Sequence, residues 1–402
     1  MSAGDVNQII VEMNQKLGDL LSEPSKASIF KIDNHLRIGG GDSVYDPEIV
    51  AIGPYHREKS HLQNMEQLKY RYLKRLLKRK NEEIIGYITV VAAMEERTQK
   101  CYAEPIDLSS NELRDDDDPI FRHGRILSQL HHDVFLLENQ LPFFLLNELF
   151  NMTEIDDPED DIITLTLRFA DSMFLTFKVP DVVRRIPTKD IDHIFSLSIS
   201  ARAKHGRSYV SDNWTNIYSD AGLRETGIKI GRAEENNSLM DITFKNGVLR
   251  IPRFKIFDET ESQLRNLTAY EQYRSDGEPR YVSDLMFFMN CLIKTPSDAK
   301  LLQCRGIIEN CFGDDENFCL MFNRIGKNIL TSPKFSYSQI FRDVNKQCSS
   351  RPNKWRANQR RNYFNSPWSI ISFLAAAMLL LLTLLQTIYT MLSYKHGSDK
   401  IP

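Results

Sequence analysis

The chain has 402 residues, 42% hydrophobic, 10% aromatic and 26% charged, a composition that excludes a polymer too polar to bury a core. Its formal net charge is only −3, so no global excess of either sign draws it to nucleic acid or to acidic substrates. No nucleic-acid partner is expected, and any basic function is local.

Residues 1–27 read as a polar, weakly helical lead-in without a charged leader, apolar stretch and cleavage site, so no secretory signal is expected. The segment Ser28 to Ile32 and a turn at Gly39 to Gly41 follow. Leu62, Met65, Leu68, Tyr72, Leu73 and Leu76 then recur at spacings of three and four, which predicts an amphipathic helix. Its other face carries Lys69, Arg71, Lys74, Arg75, Lys78, Arg79 and Lys80, a candidate surface for anionic lipid or an acidic partner. After an acidic loop at Asp115 to Asp118, a second helix is expected from Leu127 to Phe150, interrupted at Pro142.

The middle of the chain reads as strands. Ile162 to Phe169 and Met173 to Val179 alternate or run apolar, and Met240 to Pro252 holds two runs around Asn246-Gly247, a hairpin dipeptide that tolerates positive φ. Helix is expected again from Thr260, through Tyr281 to Ile293, Ala299 to Phe312 and Asn317 to Leu330. The fold class is mainly α with a small antiparallel β element (α+β), plus one C-terminal transmembrane helix. The globular region spans 28–345: helical over 28–150, β-containing over 160–258 and helical over 260–345.

A basic juxtamembrane segment, 346–364, leads into an apolar span at 365–394 and a short tail at 395–402. The 30 residues from Asn365 to Tyr394 contain no Asp, Glu, Lys or Arg. Trp368 to Leu392 would make about 37 Å of helix at ~1.5 Å per residue, against ~30 Å of hydrocarbon. Trp368, Tyr389 and Tyr394 suit the headgroup boundary. Lys346, Arg351, Lys354, Arg356, Arg360 and Arg361 precede the span without an acidic residue, whereas only Lys395 and Lys400 against Asp399 follow it. That asymmetry places the bulk in the cytosol, tail-anchored, and predicts that the sequons at Asn151, Asn213, Asn236 and Asn266 stay unmodified.

Signals for chemistry are sparse. His131-His132-Asp133, with His123 and Glu138 nearby, offers metal-ligand types, but adjacent helical residues point about 100° apart and do not readily share one ion. Asp156 to Asp161 and Asp314 to Glu316 lack the spacing of a calcium loop. Gly326-Lys327-Asn328 and Gly39 to Gly41 lack the pattern that cradles phosphate, and neither Gly-x-Ser-x-Gly nor His-Glu-x-x-His occurs. Cys101, Cys291, Cys304, Cys311, Cys319 and Cys348 show no Cys-x-x-Cys spacing; Cys304, Cys311 and Cys319 fall in apolar helical sequence and are expected as buried free thiols. No cofactor is expected.

Other blocks point to a family. Ile52-Gly-Pro-Tyr-His56, Met65-Glu66 with Lys69 and Tyr72-Leu73, Arg97 with Cys101-Tyr-Ala-Glu104, and above all Leu136-Leu-Glu-Asn-Gln-Leu-Pro-Phe-Phe144 resemble the plant family called domain of unknown function 247. The likeness continues through Ala221 to Gly227, Asp241 to Phe244 with Gly247 to Pro252, Arg265 to Gln272 and Asn365-Ser-Pro-Trp368, covering roughly residues 28 to 394. One departure stands out: Glu112-Leu-Arg-Asp-Asp-Asp-Asp-Pro119 follows Tyr102 almost at once, where the family carries an apolar helix.

The resemblance implies a membrane-associated protein without assigned catalysis, and some members at grass self-incompatibility loci are pollen-side recognition determinants. The expectation is therefore a membrane-anchored, non-enzymatic interaction or recognition protein, at the plasma membrane, with membrane lipid and an unidentified protein as partners. A hydrolase or transferase using Glu138, His56 or His131 is the alternative, followed by a lipid-surface adaptor working through residues 69–80. In the motif itself, polar Glu138, Asn139 and Gln140 sit between apolar residues beside Pro142. They are expected to form a buried hydrogen-bond network that fixes the helix break.

Overall fold

In the computed structural model the described residues are 27–37, 41–80, 82–104, 124–153, 161–171, 187–188, 191–200, 214–233, 239–274, 279–311, 313–327, 329–333, 335–349 and 367–398. The lead-in, the acidic loop at Asp115 to Asp118, the strand expected at Met173 to Val179 and most of the basic segment before the apolar span lie outside them.

A short helix α1 (Asn34–Arg37) follows an extended stretch in which Ile29 bridges to Tyr102. The amphipathic helix is α2 (Gln63–Lys80), and α3 (Ile84–Gln99) comes next. The helix expected from Leu127 to Phe150 is two helices, α4 (Gly124–Val134) and α5 (Phe143–Asn151). Its break opens well before Pro142, at Phe135, whose N–H donates to His132 O at 3.1 Å, and the chain then makes a 3-10 turn over Leu137–Asn139. Pro142 sits at the N-cap of α5 with ψ 133°, an extended conformation that suits the residue ahead of a helix.

Ile162 to Phe169 is helical rather than a strand, as α6 (Ile162–Asp171). Asp161 decides this by capping: its Oδ1 accepts the Thr164 N–H and its Oδ2 the Thr164 hydroxyl, each at 2.8 Å. Ile163 and Leu167, four apart, are then buried with Phe143 and Leu197, the latter on α7 (Ile194–Ser200). After α8 (Asp220–Glu225) the strands arrive late, as β1 (Lys229–Arg232), β2 (Thr243–Lys245), β3 (Val248–Ile251) and β4 (Phe254–Ile256).

The sheet is mixed, not purely antiparallel. β2 and β3 form the expected hairpin, turning through Asn246 at φ 51° and Gly247 at φ 76°, while β1 pairs parallel to β3 on its other edge. Local sequence encodes the hairpin; the parallel pairing arises because β3, with Leu249 and Ile251 buried, needs a partner on both edges.

Helices α9 (Thr260–Tyr273), α10 (Tyr281–Leu292) and α11 (Pro296–Cys304) follow. The helix expected to reach Phe312 stops at Cys304, because Gly306 turns the chain at φ +65° into β5 (Ile308–Asn310), which pairs parallel with β4. Cys304 and Cys311 are consequently exposed, against expectation, whereas Cys291, Cys319 and Cys348 are buried; all six cysteines are free. α12 (Asp315–Lys327) and α13 (Ser338–Cys348) close the main core, where Trp214, Phe287, Phe335 and Phe341 pack ring against ring.

Apart from this core stands α14 (Pro367–Ser398). Within it Ile371–Leu392 is long and apolar enough to cross a membrane, and none of that stretch is buried. Its Thr383, Thr387 and Thr390 hydroxyls turn back onto carbonyls of their own helix, which satisfies them in an apolar setting.

Candidate functional site

The Leu-Glu-Asn-Gln-Leu-Pro block folds into the 3-10 turn between α4 and α5, and its polar side chains all point inward: Glu138, Asn139 and Gln140 are at most 2% exposed. Asn139 uses its whole amide. Oδ1 accepts Ile52 N–H at 2.6 Å and Gly53 N–H at 3.1 Å, and Nδ2 donates to Val50 O and Asp133 O, both at 2.9 Å. Gln140 Nε2 donates to Val134 O, at the end of α4, at 2.7 Å and to Leu136 O, just past it, at 2.8 Å. Its own backbone carbonyl accepts the Tyr102 hydroxyl at 2.9 Å. Gly53 presses on this turn so closely that a Cβ would sit 2.6 Å from Gln140 O, which restricts the position to glycine.

Glu138 anchors a charged group. Its Oε1 accepts Ile32 N–H and Arg37 Nη2, each at 2.6 Å, and Oε2 lies 3.1 Å from His56 Nε2. That last contact is near enough for an ion pair but not aligned as a hydrogen bond, and His56 Nδ1 meets no acceptor although the residue is only 4% exposed. Arg37 Nη1 continues to Asp46 at 3.2 Å, and Lys59 reaches the other Asp46 oxygen at 2.6 Å. Burial pushes the Glu138 carboxyl upward, but His56, the Ile32 amide and Arg37 outweigh it and hold the group below the usual carboxylate range. Asp46 follows the same pattern through Lys59 and Arg37.

Asp46, His56 and Glu138 place three donor atoms within 4.8 Å of one another, the one such group among the described residues. The guanidinium of Arg37 bridges the two carboxylates, and Lys59 adds a second cation. An incoming divalent ion would meet carboxylates already neutralised and would have to displace Arg37, so the donor set fits an internal ion-pair network better than a metal.

Sequence reasoning missed the partners that complete this region. Fully buried Asp133 accepts Glu48, Ile49 and Val50 N–H at 2.8 Å each, and His132 Nδ1 lies 3.0 Å from it. His132 Nε2 in turn reaches Ser262 Oγ at 3.0 Å. Asn266 Oδ1 accepts Leu137 N–H at 2.9 Å, and its Nδ2 donates to Val44 O at 3.0 Å. The His-His-Asp run and the Arg265-Asn-Leu-Thr block were visible signals; what they bind is backbone far away in the chain. His131 turns away from His132 and meets Phe169 edge-on, ring centroids 4.4 Å apart, while His123 lies outside the described residues.

The basic helix divides into two parts. Lys69 reaches Ala51 O and Glu66, Lys80 donates to Met152 O at 3.0 Å, and Arg71 is half-buried. Lys74, Arg75, Lys78 and Arg79 are exposed.

A second polar cluster lies further along α9, at its junction with α10. Glu271 accepts Val282 N–H at 2.9 Å and Ser283 N–H at 2.7 Å, capping α10 from outside the helix. Asp284 accepts the amides and hydroxyls of Ser332 and Ser336 at 2.7 to 2.9 Å. Burial, with Asp284 adding to it and the Val282 and Ser283 amides opposing, pushes Glu271 up to about 7.

Two Arabidopsis thaliana proteins are similar along nearly the whole chain. "UPF0481 protein At3g47200" is 27% identical over 425 aligned positions, covering 93% of this chain and 89% of the relative. "Putative UPF0481 protein At3g02645" is 22% identical over 484 positions, 90% of each. Both alignments run longer than the 402 residues of this chain, so both relatives hold residues that it lacks. No solved structure matches. A family model described as a plant protein of unknown function matches residues 29–115 and again 108–382, two segments that overlap at 108–115. The chain therefore belongs to the plant family DUF247.

Proposed function

We propose that this chain is a single-pass, tail-anchored protein whose globular region stays on the cytosolic side and acts by binding a protein partner rather than by catalysis. The observation that carries the reading is α14: twenty-two consecutive residues, Ile371–Leu392, with mean hydropathy 2.2 and none of the stretch buried against the body. An apolar surface of that size in water is costly, and a bilayer removes it. The six-to-two excess of basic residues on its N-terminal side supports the cytosolic orientation. Plasma membrane is the compartment we assign.

The non-catalytic part of the reading is supported by where the motif's polar atoms go. The side chains of Asn139 and Gln140 and one Glu138 oxygen are engaged with backbone groups of the same chain, and Arg37 and His56 take the rest of Glu138. We read the cluster as structural. Deleting Trp368 to Leu392 tests the anchor: the truncated chain should leave a carbonate-washed membrane pellet for the supernatant, and its retention in the pellet would overturn the reading. Glycosidase treatment tests topology, with no mobility shift expected.

A further inference from the structure

We propose that two copies of the anchored protein described above pair through α14, with their Gln386 side-chain amides bonded to each other inside the membrane; this rests on that anchored reading. Ile371–Leu392 holds no charged residue, and Gln386 is its one side-chain amide. The Thr383, Thr387 and Thr390 hydroxyls are satisfied by carbonyls of their own helix, at 2.7 to 2.8 Å. Gln386 is not: its side chain is exposed, and its amide has no hydrogen-bond partner among the described residues.

Depth makes that amide costly. Gln386 lies about 7 Å from the centre of the stretch at ~1.5 Å per residue, well inside the ~15 Å half-thickness of the hydrocarbon. Two donors and an acceptor without water or a protein partner are strongly disfavoured there. The body does not supply the partner, since none of the stretch is buried, and no second helix among the described residues is long and apolar enough to lie beside it in a bilayer.

A second copy does, on two counts. Copies anchored with one topology carry Gln386 at one depth, and a primary amide both donates and accepts, so it is complementary to its own counterpart across a parallel two-fold axis. The spacing around Gln386 also marks a seam. Ser372, Leu379 and Gln386 recur at intervals of seven, and so do Ala375, Leu382 and Tyr389, three positions on, which are the two inward positions of a heptad. Small and polar side chains of this kind let membrane helices approach and bond. The reverse face, through Leu374, Leu381 and Ile388, is apolar and suits lipid.

The test uses the full chain in native membranes, with Cys101, Cys304 and Cys311 replaced by serine. Leu379→Cys, on the seam, and Leu384→Cys, on the reverse face, are oxidised in parallel with copper phenanthroline. A disulfide-linked dimer is expected from Leu379→Cys and not from Leu384→Cys. Adding Gln386→Leu should weaken the pairing by roughly 5- to 30-fold, and Gln386→Asn, which keeps an amide, should retain it. Leucine makes the span more apolar and touches nothing in the body, so loss of the dimer is not loss of insertion or of folding. Equal cross-linking from both faces, or a dimer undiminished by Gln386→Leu, overturns the proposal. So does a Leu379→Cys monomer, which means that lipid or another protein's span meets the amide. Membranes are washed with carbonate before oxidation: a monomer in the pellet refutes the pairing alone, whereas chain in the supernatant refutes the anchor and the pairing with it.

Discussion

Two buried carboxylate clusters, one at Glu138 and one at Glu271, solve the same problem in opposite ways. Glu138 is paired with the Arg37 guanidinium and is held below the usual carboxylate range; the Glu271 carboxylate accepts the Val282 and Ser283 amides, with Asp284 near it, and is pushed toward its neutral form. Burial alone does not decide the charge of an acid: the supply of cations does. The two clusters should accordingly respond to pH with opposite signs.

The largest effect expected is at Asn139. Replacement by leucine leaves Ile52 N–H, Gly53 N–H and Val50 O without the partners that Asn139 supplies, and at roughly 1–3 kcal/mol for each unpaired buried group the loss should exceed about 3 kcal/mol. A thermal melt of the full chain in detergent measures it; an unchanged melt would mean that the turn is not structural and would move a binding or catalytic role forward. Next comes Arg37→Met, which takes the guanidinium from buried Glu138, leaving it the Ile32 amide and His56, while Asp46 keeps Lys59; it should cost about 3 kcal/mol. Adding Glu138→Gln should recover part of that loss, and failure to recover it would break the assignment of Glu138 as the ionised partner.

The pH contrast supplies a third test. Glu271 is raised when folded, from 4.5 to about 7, so its contribution is fully present below its unfolded value and is lost as pH rises through about 7. The swing is about 3 kcal/mol. Glu138 and Asp46 are lowered when folded, so their contribution is present above the ordinary carboxylate range and is lost as pH falls. His193, buried and lowered to about 4, adds to the acid side: its contribution is present above its unfolded value of 6.5 and is lost as pH falls toward about 4. Glu271→Gln should remove the loss of stability between pH 4.5 and about 7 and leave the curve below pH 4.5 unchanged, and a change confined to the region below pH 4.5 would refute the division. Smallest of all, Lys78→Ala on the exposed part of α2 should change stability by less than about 0.5 kcal/mol, as measured by the same melt.

Elements carried by local signals were legible in the sequence. The hairpin at Asn246-Gly247, the amphipathic pattern of α2 and the long apolar helix α14 each rest on neighbours within a few residues. Ile162 to Phe169 was misread because β-branched residues mimic a strand while the capping Asp161 stood just outside the window. The motif's polar residues were visible, but their partners were not: Asn139 binds backbone 87 and 89 positions away, and Leu137 N–H finds Asn266 across 129. No periodicity encodes pairings of that range.

That range also has a consequence for the order of synthesis. The amides of residues 48–53 wait for Asp133 and Asn139, and the turn holding Asn139 waits for Asn266, so no part of this region reaches its final packing while the nascent chain is shorter than about two-thirds of its length. Folding dominated by such distant contacts is slow and leaves apolar segments unprotected in the interim. Substitutions at Asn139 or Asn266 should therefore reduce the yield of folded chain during translation as well as the stability of the finished molecule.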